Sequence, residues 1–242
     1  MATPTPVVFV PALLCDEALY ADVIARLSDA IEPHVLMSPL PDLHASAADI
    51  LARAPARFAL VGTSYGGNLA LTVALAAPER VSALWIMGAN PPAPAPDDPD
   101  LAGALSAMPE AVIEQLASLV VATDATAARA TFRAMAARVG APAGAAQAAA
   151  MRDREDLMAR VGGLHVPTLV FWGGEDAVTP PAIGRALADE MPHAHFFALP
   201  GCGHLPTLER PAESAAAFAA FLEDELDHGH GHGHDHGHGH GH

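Results

Sequence analysis

The sequence contains no lysine. All 12 of its cationic side chains are arginines, set against 28 acidic ones, and the formal charge is -16. A protein that binds nucleic acid gathers positive charge against phosphate, so this balance argues against nucleic acid as a partner. Cysteine is equally scarce. Cys15 and Cys202 cannot build a disulfide framework. Both fall in loops expected at one end of a sheet, where they could pair, but buried free thiols are the simpler reading for a cytoplasmic chain. No apolar run approaches the roughly 20 residues of a membrane-spanning helix. The start, Met1 to Pro6, lacks the basic region of a secretory signal. A soluble, cytoplasmic protein without membrane partners is expected. Charged residues make up only 17% of the chain and hydrophobic ones 51%, which excludes an intrinsically disordered polymer. Residues 1–227 suffice for one large α/β domain or two small ones.

What is there alternates. Val7 to Val10 is a short β-branched run that reads as a buried strand. Leu19, Val23, Leu27 and Ile31 then recur every four residues, as on one helix face. His34 to Met37 reads as a second strand, and Leu43, Ala47, Ile50, Leu51 and Ala54 mark another amphipathic helix. Phe58 to Val61 is a third strand, Asn68 to Ala77 a buried helix and Val81 to Met87 a fourth strand. Such alternation predicts a mostly parallel central sheet flanked by helices. The pattern breaks at Pro91, Pro92, Pro94, Pro96 and Pro99, a stretch that cannot be regular helix or central strand. From Asp100 to Val161 the chain is Ala-rich and helical, with a break expected between Gly140 and Gly144. Strands resume at Thr168 to Trp172 and His195 to Leu199, with a helix at Pro181 to Met191 between them and a last helix from Pro211 to Leu226. The expected organisation is a core of residues 1–90 and 162–227, with a helical cap of 91–161 inserted after the fourth strand. Residues 228–242 alternate Gly and His around Asp235 and cannot form a core. Their eight imidazoles can bind divalent metal ions.

The strongest chemical signal is Gly62-Thr63-Ser64-Tyr65-Gly66, placed where a strand ends and a helix begins. That is the setting of a nucleophile elbow. The turn is so tight that side chains two residues either side of Ser64 would strike neighbouring backbone, and glycine at both places removes the collision. The helix that starts at Tyr65 aims its first N–H groups at the same spot, where a developing oxyanion would be stabilised. A serine hydroxyl needs a base and an orienting acid. His204, in the loop Gly201-Cys202-Gly203-His204 after the last strand, is the expected base. His34, His44, His165, His193 and His195 fall at strand or helix starts, away from that edge. The acid should follow the preceding strand, where Gly173-Gly174-Glu175-Asp176 offers Asp176 ahead of Glu175. Tyr65 and Asn90 could line the pocket or simply pack. The apolar cap residues Leu116, Val120, Phe132 and Met135 could face a substrate or fix the cap to the core.

Together the elbow, the Gly-Gly-Glu-Asp loop and the stretch from Gly203-His204-Leu205-Pro206 to Glu209-Arg210-Pro211 resemble the α/β-hydrolase family. Within it, the chain is similar to compact, cofactor-free serine esterases, over roughly Val7 to Leu226. The resemblance implies acyl transfer from a carboxylic ester to Ser64 through an acyl-enzyme intermediate, with no cofactor and no metal in the active site. It also implies an oxyanion hole from the N–H groups of Leu13 and Tyr65. The loop here reads Pro11-Ala12-Leu13-Leu14, and Ala12 replaces the family's usual glycine, so Leu14 is the other option for the first donor and a further pocket candidate. The family's usual two extra N-terminal strands are not expected. A nucleophilic serine argues against the carboxylate chemistry of dehalogenases and epoxide hydrolases. Other expectations keep the triad but change the substrate, to a thioester or a C–C bond. For a carrier-bound thioester, Arg129, Arg133 and Arg138 would have to supply a cationic rim. A ligand-binding receptor on a hydrolase scaffold is the reading from another class.

Overall fold

A computed structural model describes residues 3–229. Its centre is a six-stranded sheet, parallel throughout, in the order β2-β1-β3-β4-β5-β6. The strands are β1 (Thr5–Val10), β2 (Ile31–Val35), β3 (Phe58–Thr63), β4 (Val81–Met87), β5 (Thr168–Gly173) and β6 (Ala194–Leu199). β3 and β5 are buried along their whole length, as expected for strands covered on both faces. Helices α1 (Ala21–Leu27), α2 (Leu43–Arg53), α3 (Tyr65–Ala76), α9 (Pro181–Glu190), α10 (Pro206–Glu209) and α11 (Pro211–Gly229) connect or close the sheet. Between β4 and β5 the chain forms the helices α4 (Leu101–Ala107), α5 (Pro109–Leu119), α6 (Thr126–Val139), α7 (Ala141–Arg152) and α8 (Met158–Val161). One apolar cluster, around Phe9, Trp85, Phe171 and Phe218, packs on one sheet face and reaches into this insert. A second, around Leu60, Leu69, Ile86 and Trp172, fills the other face.

The strand order fixes where chemistry can occur. From β1 the chain turns one way to β2, then returns to place β3 on the other side of β1. In an open parallel sheet the crevice lies outside the carboxyl ends of the strands at such a reversal. Here the loop after β1 and the turn after β3 flank that crevice.

Several expectations are corrected. The four-residue period from Leu19 to Ile31 does not mark one helix. The α-helix stops at Leu27, and Ile31 opens β2, pairing with Thr5. Ile31 still joins the apolar cluster of Leu19, Val23 and Leu27, so the period reported a shared buried face rather than a shared helix. The second strand therefore begins earlier than His34 and contains Pro33. A proline without an N–H is tolerated there because β2 is an edge strand. The break in the insert falls at Gly140, whose φ of +82° separates α6 from α7, whereas Gly144 lies within α7. The final helix runs past Leu226 to Gly229. The His/Gly segment beyond it, and the metal binding expected of it, lie outside the described residues.

Candidate active site

Ser64 stands between β3 and α3 with φ 57° and ψ -121°, a conformation that a residue with a side chain adopts only under strain. Its own N–H is held by the Met87 carbonyl at 2.8 Å, and its carbonyl accepts from Gly67 and Asn68. The two flanking glycines have the role that their spacing predicts. A Cβ on Gly62 would lie 2.2 Å from the Gly66 oxygen, and one on Gly66 would lie 2.1 Å from the Val10 oxygen. The second approach presses the first turn of α3 against the end of β1, next to the loop that holds Leu13.

Asp176 follows β5 and His204 follows β6, and a 2.7 Å contact joins Asp176 Oδ2 to His204 Nδ1. Both side chains are buried. The other carboxylate oxygen accepts the N–H groups of Val178 and Thr179, each at 2.9 Å. Glu175 is exposed, and its N–H goes to the Cys202 carbonyl. Of the two acids in this loop, the fold brings Asp176 to the histidine. Cys202, the neighbour of His204, is a buried thiol. Burial pushes its pKa up to about 12, helped by the Glu209 charge, so it stays protonated and is a poor nucleophile.

The residues before α1 form a reverse turn in which Cys15 N–H donates to the Ala12 carbonyl at 3.0 Å. Leu14, third in that turn, has φ +60°, where a type II turn calls for a positive value. Its N–H is already spent, donating to Gln147 Oε1 at 3.0 Å. Leu13 N–H makes no hydrogen bond within the described chain, and Tyr65 N–H is among the uncommitted donors of the first turn of α3. The Tyr65 side chain turns away and is buried. Its hydroxyl donates to the Ser38 carbonyl, and burial raises its pKa to about 12. Leu14 is fully buried against the insert, so its side chain presents no open surface. Asn90 is half-buried, with its backbone clamped on both sides by the Asn68 amide.

Several residues of this site were not singled out from the sequence. The Thr179 hydroxyl lies 3.0 Å from Asp176 Oδ2, 3.1 Å from the Gly88 carbonyl and 3.3 Å from His204 Nδ1. Trp172 Nε1 donates to the Thr179 carbonyl at 2.8 Å and pins the acid loop. Glu209 Oε2 accepts the N–H groups of Gly203 at 3.0 Å and Ala122 at 2.9 Å, tying the histidine loop to the insert. Of these residues Glu209 lies in a stretch that carries the family resemblance, which implied no such role for it. Among the described residues, no group of three or more His, Cys, Asp or Glu is placed to hold a metal ion. No helix among them is long and apolar enough to cross a membrane.

Comparison with known proteins gives the family. The pattern of the Alpha/beta hydrolase family matches residues 8–217. The chain belongs to the alpha/beta hydrolase family. Among curated relatives, a pimeloyl-[acyl-carrier protein] methyl ester esterase of Chromobacterium violaceum is 30% identical over 233 residues, covering 86% of this chain and 91% of that protein. One of the same name from Nitrosomonas europaea is 28% identical, covering 69% and 72%. In fold, the chain is similar to a thermophilic esterase from Thermogutta terrifontis (TM-score 0.82, 22% identity, 93% and 92% covered). The enol-lactonase from Burkholderia xenovorans is alike to the same degree, at TM-score 0.82 and 21% identity, with 92% of each chain covered.

Proposed function

We propose that this chain is a serine-dependent carboxylic ester hydrolase that turns over through an acyl-enzyme on Ser64. The observation that carries the reading is the buried Asp176–His204 pair, set at the same sheet edge as a strained serine elbow. In this reading Ser64 Oγ attacks the ester carbonyl while His204 Nε2 takes its proton. Asp176 holds Nδ1–H and stabilises the imidazolium that forms. The N–H groups of Tyr65 and Leu13 receive the oxyanion. His204 then protonates the departing alcohol, and water, activated by the same base, releases the acid and restores the serine.

A small ester, free of any carrier, is the substrate class that the surface favours. The curated relatives carry names that point to carrier-bound methyl esters. In this chain, however, the three arginines that could greet an anionic carrier are engaged internally. Arg129 donates to the carbonyls of Ala117 and Thr123, Arg133 pairs with Glu114, and Arg138 pairs with Asp16. The same reading places the enzyme in the cytoplasm, which suits its two unpaired buried thiols.

The test is a hydrolysis screen over p-nitrophenyl esters of increasing length, methyl esters of free acids, the same methyl esters on acyl carrier protein, and acyl-CoA thioesters. Turnover of free esters by the wild type, abolished in Ser64→Ala, is expected. No turnover of any ester, with Ser64 unlabelled by a fluorophosphonate, overturns the reading. Turnover of carrier-bound esters alone, at rates that fall with salt, overturns the substrate class.

A further inference from the structure

We propose that Gln147, in the helical insert, is a positioning residue for the oxyanion site, which makes the insert a working part of the catalytic machinery. The proposal rests on the ester-hydrolase reading above. Gln147 lies 133 residues from Leu14 in sequence, yet its buried amide oxygen accepts the Leu14 N–H at 3.0 Å. Leu14 is the residue held at φ +60°, a region that side chains disfavour. Its N–H is sealed from water, so without Gln147 this donor has no partner. The peptide between Leu13 and Leu14 could then rotate towards an ordinary negative φ, relaxing the turn that presents Leu13 N–H.

The packing around this bond is close. Gly144 lies on the same face of α7, three residues before Gln147. A Cβ at Gly144 would come within 2.5 Å of a Leu14 methyl, so the helix rests directly on the turn. The insert also grips the far end of the loop. Arg138 in α6 donates to both oxygens of Asp16, at 2.7 and 3.0 Å. Asp16 in turn caps the short helical turn at Glu17–Leu19 through the Ala18 N–H. Two helices of the insert thus fix the segment between Leu14 and Asp16 from both sides. Neither side chain reaches Asp176 or His204, so the effect belongs to the oxyanion donors and not to the proton relay.

The experiment compares wild type with Gln147→Met, which keeps size and removes the acceptor, and Gln147→Glu, which keeps an acceptor oxygen. Steady-state kinetics on a short p-nitrophenyl ester are measured across pH, with folding checked by thermal melting. Gln147→Met should lose about 100-fold in kcat with KM within about twofold of wild type, the scale of one missing oxyanion donor. Its pH profile should keep its midpoint, and Gln147→Glu should recover at least about tenfold of the loss. A folded Gln147→Met with kcat within about threefold of wild type overturns the proposal, as does a loss that Gln147→Glu does not relieve. If Gln147→Met does not fold, Arg138→Gln loosens the same loop from its half-exposed end. A fall in kcat at unchanged KM then supports the role, and full activity overturns it. A wild type that is inactive on every ester would instead count against the hydrolase reading itself.

Discussion

Replacing Asp176 by Asn tests the proposed mechanism at its most informative atom. The variant keeps shape and removes one charge. Which way its amide faces follows from the structure. Oδ1 of Asp176 accepts two backbone N–H groups, from Val178 and Thr179. An NH2 group cannot face two donors, so the Asn oxygen must take that place and its Nδ2 must face His204 Nδ1. The ring is then forced to accept at Nδ1 and to carry its proton on Nε2. In that tautomer Nε2 cannot take the serine proton. The expected loss is about 10⁴-fold in kcat, as for the same change in a serine protease, or about 5 kcal/mol of transition-state stabilisation. The protein should melt near the wild-type temperature, because the two backbone bonds to Oδ1 survive. Glu175→Gln is the matched control. Its side chain is exposed, and it should stay within about twofold of wild type. Both variants are assayed on one activated ester at saturation. The reasoning is refuted if Glu175→Gln is the crippled variant, or if Asp176→Asn retains more than about a tenth of wild-type kcat.

Four further outcomes follow from the same contacts. Ser64→Gly should melt no lower than Ser64→Ala, despite glycine's usual entropic cost, because it relieves a strain of order 1–3 kcal/mol at φ 57°; both should be inactive, and a clearly less stable glycine variant would show that Ser64 is unstrained. Gly66→Ala should lose roughly 3 kcal/mol or more, since its Cβ would meet the Val10 oxygen at 2.1 Å, and a soluble variant with an unchanged melting temperature would contradict that packing. Burial pushes the Asp16 carboxyl up, but hydrogen bonds from Arg138 and Ala18 and the Arg138 charge outweigh it and hold it below its ordinary value. This pair therefore stabilises the fold above a pH of about 4 and fades as pH falls through the lowered value, so the gap in melting temperature between wild type and Arg138→Ala should narrow in acid; a gap that widens would reverse the sign. Removing residues 230–242 should leave ester turnover unchanged while abolishing retention on immobilised nickel, and a loss of turnover in a folded protein would give the segment a catalytic part.

The elements that place the triad candidates were legible in the sequence because each is written locally. The glycines at 62 and 66 are required by backbone approaches of about 2 Å, and such a requirement leaves a fixed spacing around Ser64. The run from Thr168 to Gly173 is buried along its whole length, so its composition announced a central strand, and the loop beyond it had to emerge at the sheet edge. His204 followed by the same logic one strand later. Where local signals misled, two structures shared one pattern. Ile31 continues the spacing of Leu27 because helix α1 and strand β2 bury the same face, and no spacing rule separates those cases. Pro33 could have done so, since it favours an edge strand over a helix interior.

The site's supporting bonds were illegible for a different reason. Gln147 reaches Leu14 across 133 residues, and Glu209 reaches Ala122 across 87. Gln147 does not stand out in an Ala-rich helix, and Glu209 ends a one-turn helix in a stretch that carries only the family resemblance; each role exists only once the insert has docked. The choice between Leu13 and Leu14 as oxyanion donor shows the cost. From the sequence either N–H could serve. In the fold one is consumed by a side chain from the insert and the other makes no hydrogen bond among the described residues, so the assignment rests on a long-range contact. The insert's arginines teach the same lesson in reverse. In the sequence, Arg129, Arg133 and Arg138 could form a cationic rim, and in the fold each has a partner within the chain. The residues that bond and strain the nucleophile turn can be recognised by their spacing. Those that tune the oxyanion donors and the substrate's reception depend on how the insert sits, and that is where this chain can differ in chemistry from its relatives while sharing their fold.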